Sequence, residues 1–384
     1  MIGDFSFTIP QNCVFGVGAL KKLPELLNSS GVKNAMLISD RVLEKIGLVE
    51  RVQKLIHEAG ISCCEFLDVP ANPTVDVVES CAAKYKDSEA GAMIALGGGS
   101  AMDTAKAAGV LAKYGGNITD YEGTGKIPGY IDPLIAVPTT AGTGSEVTVA
   151  TVITDTARNY KFSILGSEIS PKYSVLDPEL LMTAPASIAA SCGIDALVHA
   201  MESYINTASN PFSQIMSEKA MELIGGNIKK FVARRDNVDA ACAMMLGSTF
   251  AGIAFANNRL GNIHALSHPV SGYFHVAHGV ANAILMPVVF EFNALADNGR
   301  YSKIYEYVTN KAAGTDFTPD MLCEALRKLN RDLGIPKNLA EVGVTEDKIP
   351  QMAEDAMKSG NISVNPRLTS LNDVVNIYQR ALIG

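Results

Sequence analysis

The sequence predicts two domains of different class: an α/β unit built on a parallel sheet over residues 1–185, and an all-helical unit over residues 186–384. Three observations predict it. Short apolar runs alternate with amphipathic stretches of helical period through the first half. Strand signals nearly vanish after about residue 185. A chain of 384 residues is also longer than one core usually serves.

"NAMLISD" (34–40) reads as the first clear strand, "LVERVQKLIHEAG" (48–60) as a helix with one apolar face, and "SCCEFLDV" (62–69) as the next strand. "TVDVVESCAAKYK" (74–86) is helical again. "GAMIALGGG" (91–99) is an apolar strand running into glycines, and "SAMDTAKAAGVLAKYGG" (100–116) is a helix stopped at glycine. This βαβαβα order predicts a parallel sheet covered on both faces. "PLIAVPTTAGTGSEVT" (133–148) adds a strand and a long polar loop, and "TVITD", "YKFSIL" and "YSVLD" add strands up to about residue 177. Past "MTAPASIAA" (182–190) helical patterns follow one another, which places the boundary near Pro185.

The charge balance narrows the partners. Net charge is −8, Trp is absent and no long basic run occurs, which argues against a nucleic-acid or anionic-membrane partner. The start "MIGDFSFTIP" lacks a cationic apolar leader, and the apolar run "VANAILMPVVF" is too short to span a bilayer. The seven cysteines are odd in number and form no C-x-x-C pair, as reduced thiols of a cytoplasmic protein would.

"AMIALGGGSAMDTAKAAG" places Gly97, Gly98 and Gly99 between a strand and a helix. Glycines let a backbone approach a phosphate closely, and a helix N-terminus offers free N–H groups and the positive end of its dipole. Ser100 is expected as the helix N-cap, with Asp103 as its capping-box partner. The run departs from G-x-G-x-x-G, because Met102 stands at the last glycine position. By itself it reads equally as a tight turn without a ligand. Two features turn the reading towards a dinucleotide. Asp40 follows "AMLIS", where a carboxylate accepts from both ribose hydroxyls and repels a 2′-phosphate. Thr139, Thr140, Thr143 and Ser145 crowd the hydroxyl-rich loop "PTTAGTGSE".

Histidines give the second signal. The chain has six, and His264, His268, His275 and His278 fall within "HALSHPVSGYFHVAHG". "DALVH" sets Asp195 and His199 four apart on one helix face, and "HALSH" does the same for His264 and His268. Pro269 is expected to end that second helix, and "PVSGYF" to turn the chain. His57 is isolated and reads as an ordinary surface residue. Neutral imidazoles with one carboxylate and no thiol suit a divalent Fe or Zn ion. Spacing alone does not decide which of the four clustered histidines bind, nor which of the two metals. A nucleotide site and a metal site on separate domains point to a catalytic cleft where the domains meet, and to hydride transfer at a carbonyl polarised by a Lewis acid.

"GGGSAMDTAKA", "PTTAGTGSEVT", "GIDALVHAMESYI" and "AFANNRLGNIHALSHPVSGYFHVAHGVANAILMP" together resemble the iron-containing (group III) alcohol dehydrogenases, in order and spacing, up to about residue 295. The resemblance implies a dehydroquinate synthase-like fold with a Rossmann-like dinucleotide-binding domain and a helical metal-binding domain. It implies metal ligands at Asp195, His199, His264 and His278, and a proton-relay role for His268 near nicotinamide and substrate. His275 has no counterpart, which leaves it to packing or to contact with a ligand. For NAD(H) it implies the pyrophosphate loop Gly97, Gly98, Gly99 and Ser100, the ribose acid Asp40, and cleft positions Asn72, Thr139, Thr140, Thr143, Ser145, Lys161 and Leu180. Phe255 matches an aromatic residue bordering the substrate. Retention of all four ligand positions favours Fe(II) over Zn(II). A homodimer or an assembly of dimers is implied, with "FSFTIP" a candidate strand across the interface.

The expected reaction is reversible oxidation of a primary alcohol by NAD to an aldehyde. Small residues after "GSEVT", Ala150 and Val152, suit a pocket for short aliphatic alcohols or diols. Rival readings are a zinc-dependent polyol or glycerol dehydrogenase, a dehydroquinate-synthase-type enzyme, and a non-catalytic metal or nucleotide sensor. A synthase acting on polyanions needs more basic residues than 190–290 supplies, and a sensor is expected to have lost a ligand.

Overall fold

The structure, a computed structural model, describes residues 5–9, 12–158 and 160–384. The chain divides into an α/β unit, Ile9–Thr140 with Gly144–Thr183, and a helical unit, Ala184–Gly384 with Ala141–Thr143 and residues 5–8.

In chain order the α/β unit contains β1 (Asn12–Phe15), α1 (Leu23–Ser29), β2 (Asn34–Ile38), α2 (Arg41–Lys45), α3 (Leu48–Glu58), β3 (Ser62–Phe66), α4 (Val75–Asp87), β4 (Ala92–Gly97) and α5 (Gly99–Tyr114). β5 (Gly123–Thr124), β6 (Leu134–Pro138), β7 (Ala150–Asp155), β8 (Tyr160–Leu165) and β9 (Tyr173–Leu176) follow. Six strands form one parallel sheet in the order β1-β9-β6-β4-β2-β3. Every residue of β4 and β6 is buried, which is why those strands read as unbroken apolar runs: a central parallel strand has no wet face. The strand ending in "AMLIS" is the second of the chain, because β1 precedes it as a mostly exposed edge strand. A second sheet, β5-β8-β7, pairs β7 antiparallel to β8.

A buried cation ties α5 to the segment before β7. Lys106 is 0% exposed, and its Nζ lies 2.8–3.2 Å from five oxygens: the carbonyls of Ser145, Thr148 and Ala150 and the hydroxyls of Ser145 and Thr148. Asp103, one turn earlier, accepts from Ser145 Oγ and Val152 N–H. Burial pulls Lys106 down to about 8 and lifts Asp103 to about 6. The polar loop thus gains regular geometry from ammonium donors instead of a strand ladder.

The helical unit contains α6 (Ala186–Ile205), α7 (Pro211–Ala233), α8 (Val238–Ala256), α9 (Asn262–Phe274), α10 (His278–Asn293), α11 (Arg300–Thr309), α12 (Pro319–Asp332), α13 (Ile349–Met357) and α14 (Leu371–Ile383). By length and composition α8 and the segment 278–296 match a bilayer span, contrary to the expectation that the second is too short. Both are largely buried among the other helices, so their apolarity serves the core. α9 also departs from expectation. It runs straight through Pro269, and "PVSGYF" is helix instead of turn. Proline removes one helix hydrogen bond; tertiary packing overrides that loss, with Pro269 and much of α9 around it buried. The helix ends instead at His275, whose φ of 55° is left-handed. Of "FSFTIP", residues 5–9 form no ladder; Thr8 N–H bonds Asn257 Oδ1 and Phe7 packs on Phe212, while Pro10 lies outside the described residues.

Gly279 lets α10 touch α6 backbone to backbone: a Cβ there would stand 2.2 Å from the Ser191 carbonyl oxygen. Gly279→Ala is therefore expected to push the helices apart and destabilise the protein by about 1–3 kcal/mol, despite alanine's better helix propensity. Thermal melting checks this, and an unchanged or raised Tm would remove the contact as a constraint.

Candidate metal centre and dinucleotide turn

α6 is buried almost all round from Ala189 to Ile205 and presents Asp195, His199 and Glu202 on consecutive turns. α9 brings His264, and α10 begins with His278 and carries Asn282 one turn later. Asp195 Oδ1 lies 3.9 Å from His199 Nε2, 3.7 Å from His264 Nε2 and 3.7 Å from His278 Nε2. Four donors about 2.2 Å from a shared centre stand ~3.6 Å apart at tetrahedral corners. Asp195, His199 and His264 bring ligand atoms within 4.8 Å of one another, close enough to hold one ion, and His278 Nε2 stands beside Asp195.

Donor chemistry agrees with donor spacing. His264 Nδ1 donates to Glu202 Oε2 at 2.6 Å, and His199 Nδ1 donates to the Gly142 carbonyl at 3.2 Å. Each ring therefore turns its Nε2 edge towards Asp195. Ser267 Oγ lies 3.5 Å from His278 Nδ1. Glu202 holds two things at once, since its Oε1 also accepts the Ile263 N–H at 2.6 Å and so satisfies a first-turn donor of α9. Burial pushes His199 down to about 3, which keeps it neutral. Burial also acts to lower His264, but its bonds to Asp195 and Glu202 outweigh that and raise it to about 9. Burial acts to raise Asp195, and the surrounding imidazoles hold it well below the usual carboxylate range. Without a cation, the two carboxylates retain a proton on His264 that an incoming ion must displace.

The other two clustered histidines stand apart from this set. His268 is exposed, its ring 5.3 Å from that of His278 and 6.2 Å from that of His264. His275 is exposed and caps the C-terminal end of α9 in the left-handed conformation. Phe255 lies against His199, with ring centroids 4.5 Å apart.

In the α/β unit, Gly97 ends β4 with a φ of 153°, and Gly98 is the N-cap of α5 without any side-chain cap. Ser100 is not the cap: it sits inside the helix and donates to the Ala71 carbonyl at 2.6 Å. Asp103 is taken up with Ser145 and Val152 instead of a capping box. The first N–H groups of α5 are thus left to an outside acceptor, which glycine at the cap favours. A Cβ on Gly98 would meet Thr140 Oγ1 at 3.2 Å, and Thr139 N–H bonds the Gly97 carbonyl. Asp40 caps α2 with Oδ1, accepting from Val42 and Leu43 N–H, while Oδ2 faces Gly97.

Lys161 donates to Asn72 Oδ1 at 2.7 Å, and burial lowers its pKa. Lys161, Val152 and Ala150 share the half-buried face of the β7–β8 pair. Thr143 groups with the helical unit, and Ser145 belongs to the Lys106 cage. Leu180 is 1% exposed and packs in the core with Ile94 and Val137. Sequence reasoning missed Lys106, Glu202 and Asn282. Glu202, three residues after His199 on the same face, was the one with a readable signal.

Residues 10–178 match the family model of the iron-containing alcohol dehydrogenases, and residues 189–382 match that of the family's C-terminal domain. An NAD-dependent methanol dehydrogenase of Bacillus methanolicus is 36% identical over 98% of this chain and 100% of its own length. A lactaldehyde reductase of Escherichia coli is 34% identical over 96% and 97%. The crystal structure of a 1,3-propanediol oxidoreductase superposes with a TM-score of 0.96 at 34% identity, over 99% of this chain and 100% of that one. The chain belongs to the iron-containing alcohol dehydrogenase family and is an oxidoreductase interconverting alcohols and aldehydes.

Proposed function

We propose that the protein is an NAD(H)-dependent dehydrogenase of short-chain primary alcohols or diols, with iron held by Asp195, His199, His264 and His278. The convergence of three buried donors, Asp195, His199 and His264, with both imidazoles held from behind and His278 Nε2 3.7 Å from Asp195, supports this reading. The dependence named for the Bacillus methanolicus relative supports NAD. When bound, the ion supplies Lewis acidity that lowers the pKa of an alcohol hydroxyl, and the dinucleotide takes up or gives hydride. The residues of the chain do the rest. Gly97, Gly98, Gly99 and Ser100 open the backbone of α5 to a pyrophosphate, and Asp40 Oδ2 meets the adenosine ribose. Asn72, Thr139, Thr140, Thr143, Ser145 and Lys161 surround the dinucleotide. Ala150 and Val152 on the β7–β8 face, and Phe255 against His199 in the helical unit, each suit a small apolar substrate. His268, exposed beside the donor set, passes the alcohol proton to solvent. The proposed assembly is a homodimer or a set of dimers, and seven free cysteines support a reducing cytoplasm.

Separate variants divide the histidine roles. His278→Ala is expected to lose bound metal and activity together, with affinity falling by more than the ~100-fold typical of losing an outer partner. His268→Ala is expected to keep its metal, slow turnover by about 10²–10⁴-fold and alter the pH profile. Metal analysis beside steady-state kinetics reads both. Full metal content in His278→Ala removes it from the donor set.

Asp40→Ser keeps an α2 cap and removes the charge. It is expected to raise NADP use relative to NAD by about tenfold, the equivalent of ~1.4 kcal/mol. An unchanged cofactor ratio would take Asp40 off the ribose.

Metal affinity is expected to depend on pH through His264. Raised to about 9, it holds a proton below that pH which the ion must expel. Affinity therefore rises with pH, by roughly tenfold per unit between pH 6 and 8. Chelator-competition titrations measure it, and a flat profile would show that His264 carries no competing proton.

A further inference from the structure

Asn282 is 0% exposed and aims its amide into the donor set. Its Nδ2 lies 2.6 Å from Asp195 Oδ1, 3.2 Å from His264 Nε2 and 3.2 Å from His278 Nε2. Its Oδ1 is buried and finds no hydrogen-bond partner among the described residues. An amide NH2 carries two hydrogens. Here three polar atoms surround it, and the short contact to the carboxylate is the charge-assisted one. With Glu202 holding His264 Nδ1, the Nε2 edge of His264 faces the same amide. A side chain present only to fill space would be better served by an apolar residue, which leaves no buried oxygen unpaired.

We propose that Asn282 is a positioning residue of the metal centre: its amide hydrogens hold Asp195 and the His278 imidazole together beside His264, fix Oδ1 as the carboxylate oxygen of the set, and stand in for positive charge in the cation-free protein. This rests on the metal reading of Asp195, His199, His264 and His278. It gives each of those four groups its own neighbour: Asn282 for Asp195, Gly142 for His199, Glu202 for His264 and Ser267 for His278.

The test compares the wild-type protein, Asn282→Leu and Asn282→Asp, stripped of metal and titrated with Zn(II). The readouts are Zn(II) affinity by chelator competition and melting temperature with and without the ion. Asn282→Leu, close in shape but without a donor, is expected to bind Zn(II) about 10–100-fold more weakly. Asn282→Asp sets a second negative charge against Asp195. Its cation-free form should melt below wild type, and Zn(II) should raise its melting temperature more than it raises that of wild type. If Asn282→Asp folds only in the presence of Zn(II), that is the same outcome at its limit. Wild-type affinity in Asn282→Leu, together with an equal Zn(II)-induced shift in all three proteins, overturns the role of Asn282 alone. A wild-type protein whose melting ignores Zn(II) overturns the metal centre, and this proposal with it.

Discussion

The helical unit depends on one carboxylate. Glu202 projects from α6, takes the Ile263 N–H at the start of α9 with one oxygen and His264 Nδ1 with the other, both at 2.6 Å. A single buried side chain thus fixes where α9 begins, which way its first histidine turns and which ring nitrogen carries the lone pair. Leaving such a charge buried is tolerable only because both oxygens are used. The same charge raises His264, so assembly of the centre and its competition with protons have one cause. Gly279 adds the steric half of the constraint, since the approach of α10 to α6 puts His278 within reach of Asp195.

The α/β unit solves a comparable problem with the opposite sign. A loop rich in glycine and hydroxyls has little intrinsic preference for one conformation and a large entropy to lose. Lys106 supplies ammonium hydrogens to a ring of five oxygens around Ser145, Thr148 and Ala150, and Asp103 balances its charge. The hydroxyl-rich segment and β7 are fixed before any ligand arrives, which reduces the ordering cost of binding. Ser145 illustrates the overlap: the sequence marks it as a ligand contact, and the fold gives it work in the cage.

Particular residues show how far the sequence was legible. Helix and strand periods identified the core strands and most helices, because burial on one face or both is written into local spacing. The i, i+4 pair Asp195 and His199 was readable for the same reason. Pro269 and Ser100 were misread, each through a local rule that a tertiary contact overrides. Pro269 stays helical inside a buried α9. Ser100 reaches the Ala71 carbonyl instead of capping α5.

The sequence alone determined the class of each unit, the glycine turn after β4 and the set of groups able to hold a metal, because composition and spacing along one element are properties of the chain itself. Tertiary structure alone decided which donors meet, which nitrogen of each ring is presented, and that Glu202, Asn282 and Lys106 serve them. The reason is distance along the chain. Glu202 and His264 are 62 residues apart, and Asp195 and Asn282 are 87 apart. No periodicity within one helix encodes which face of another it will meet.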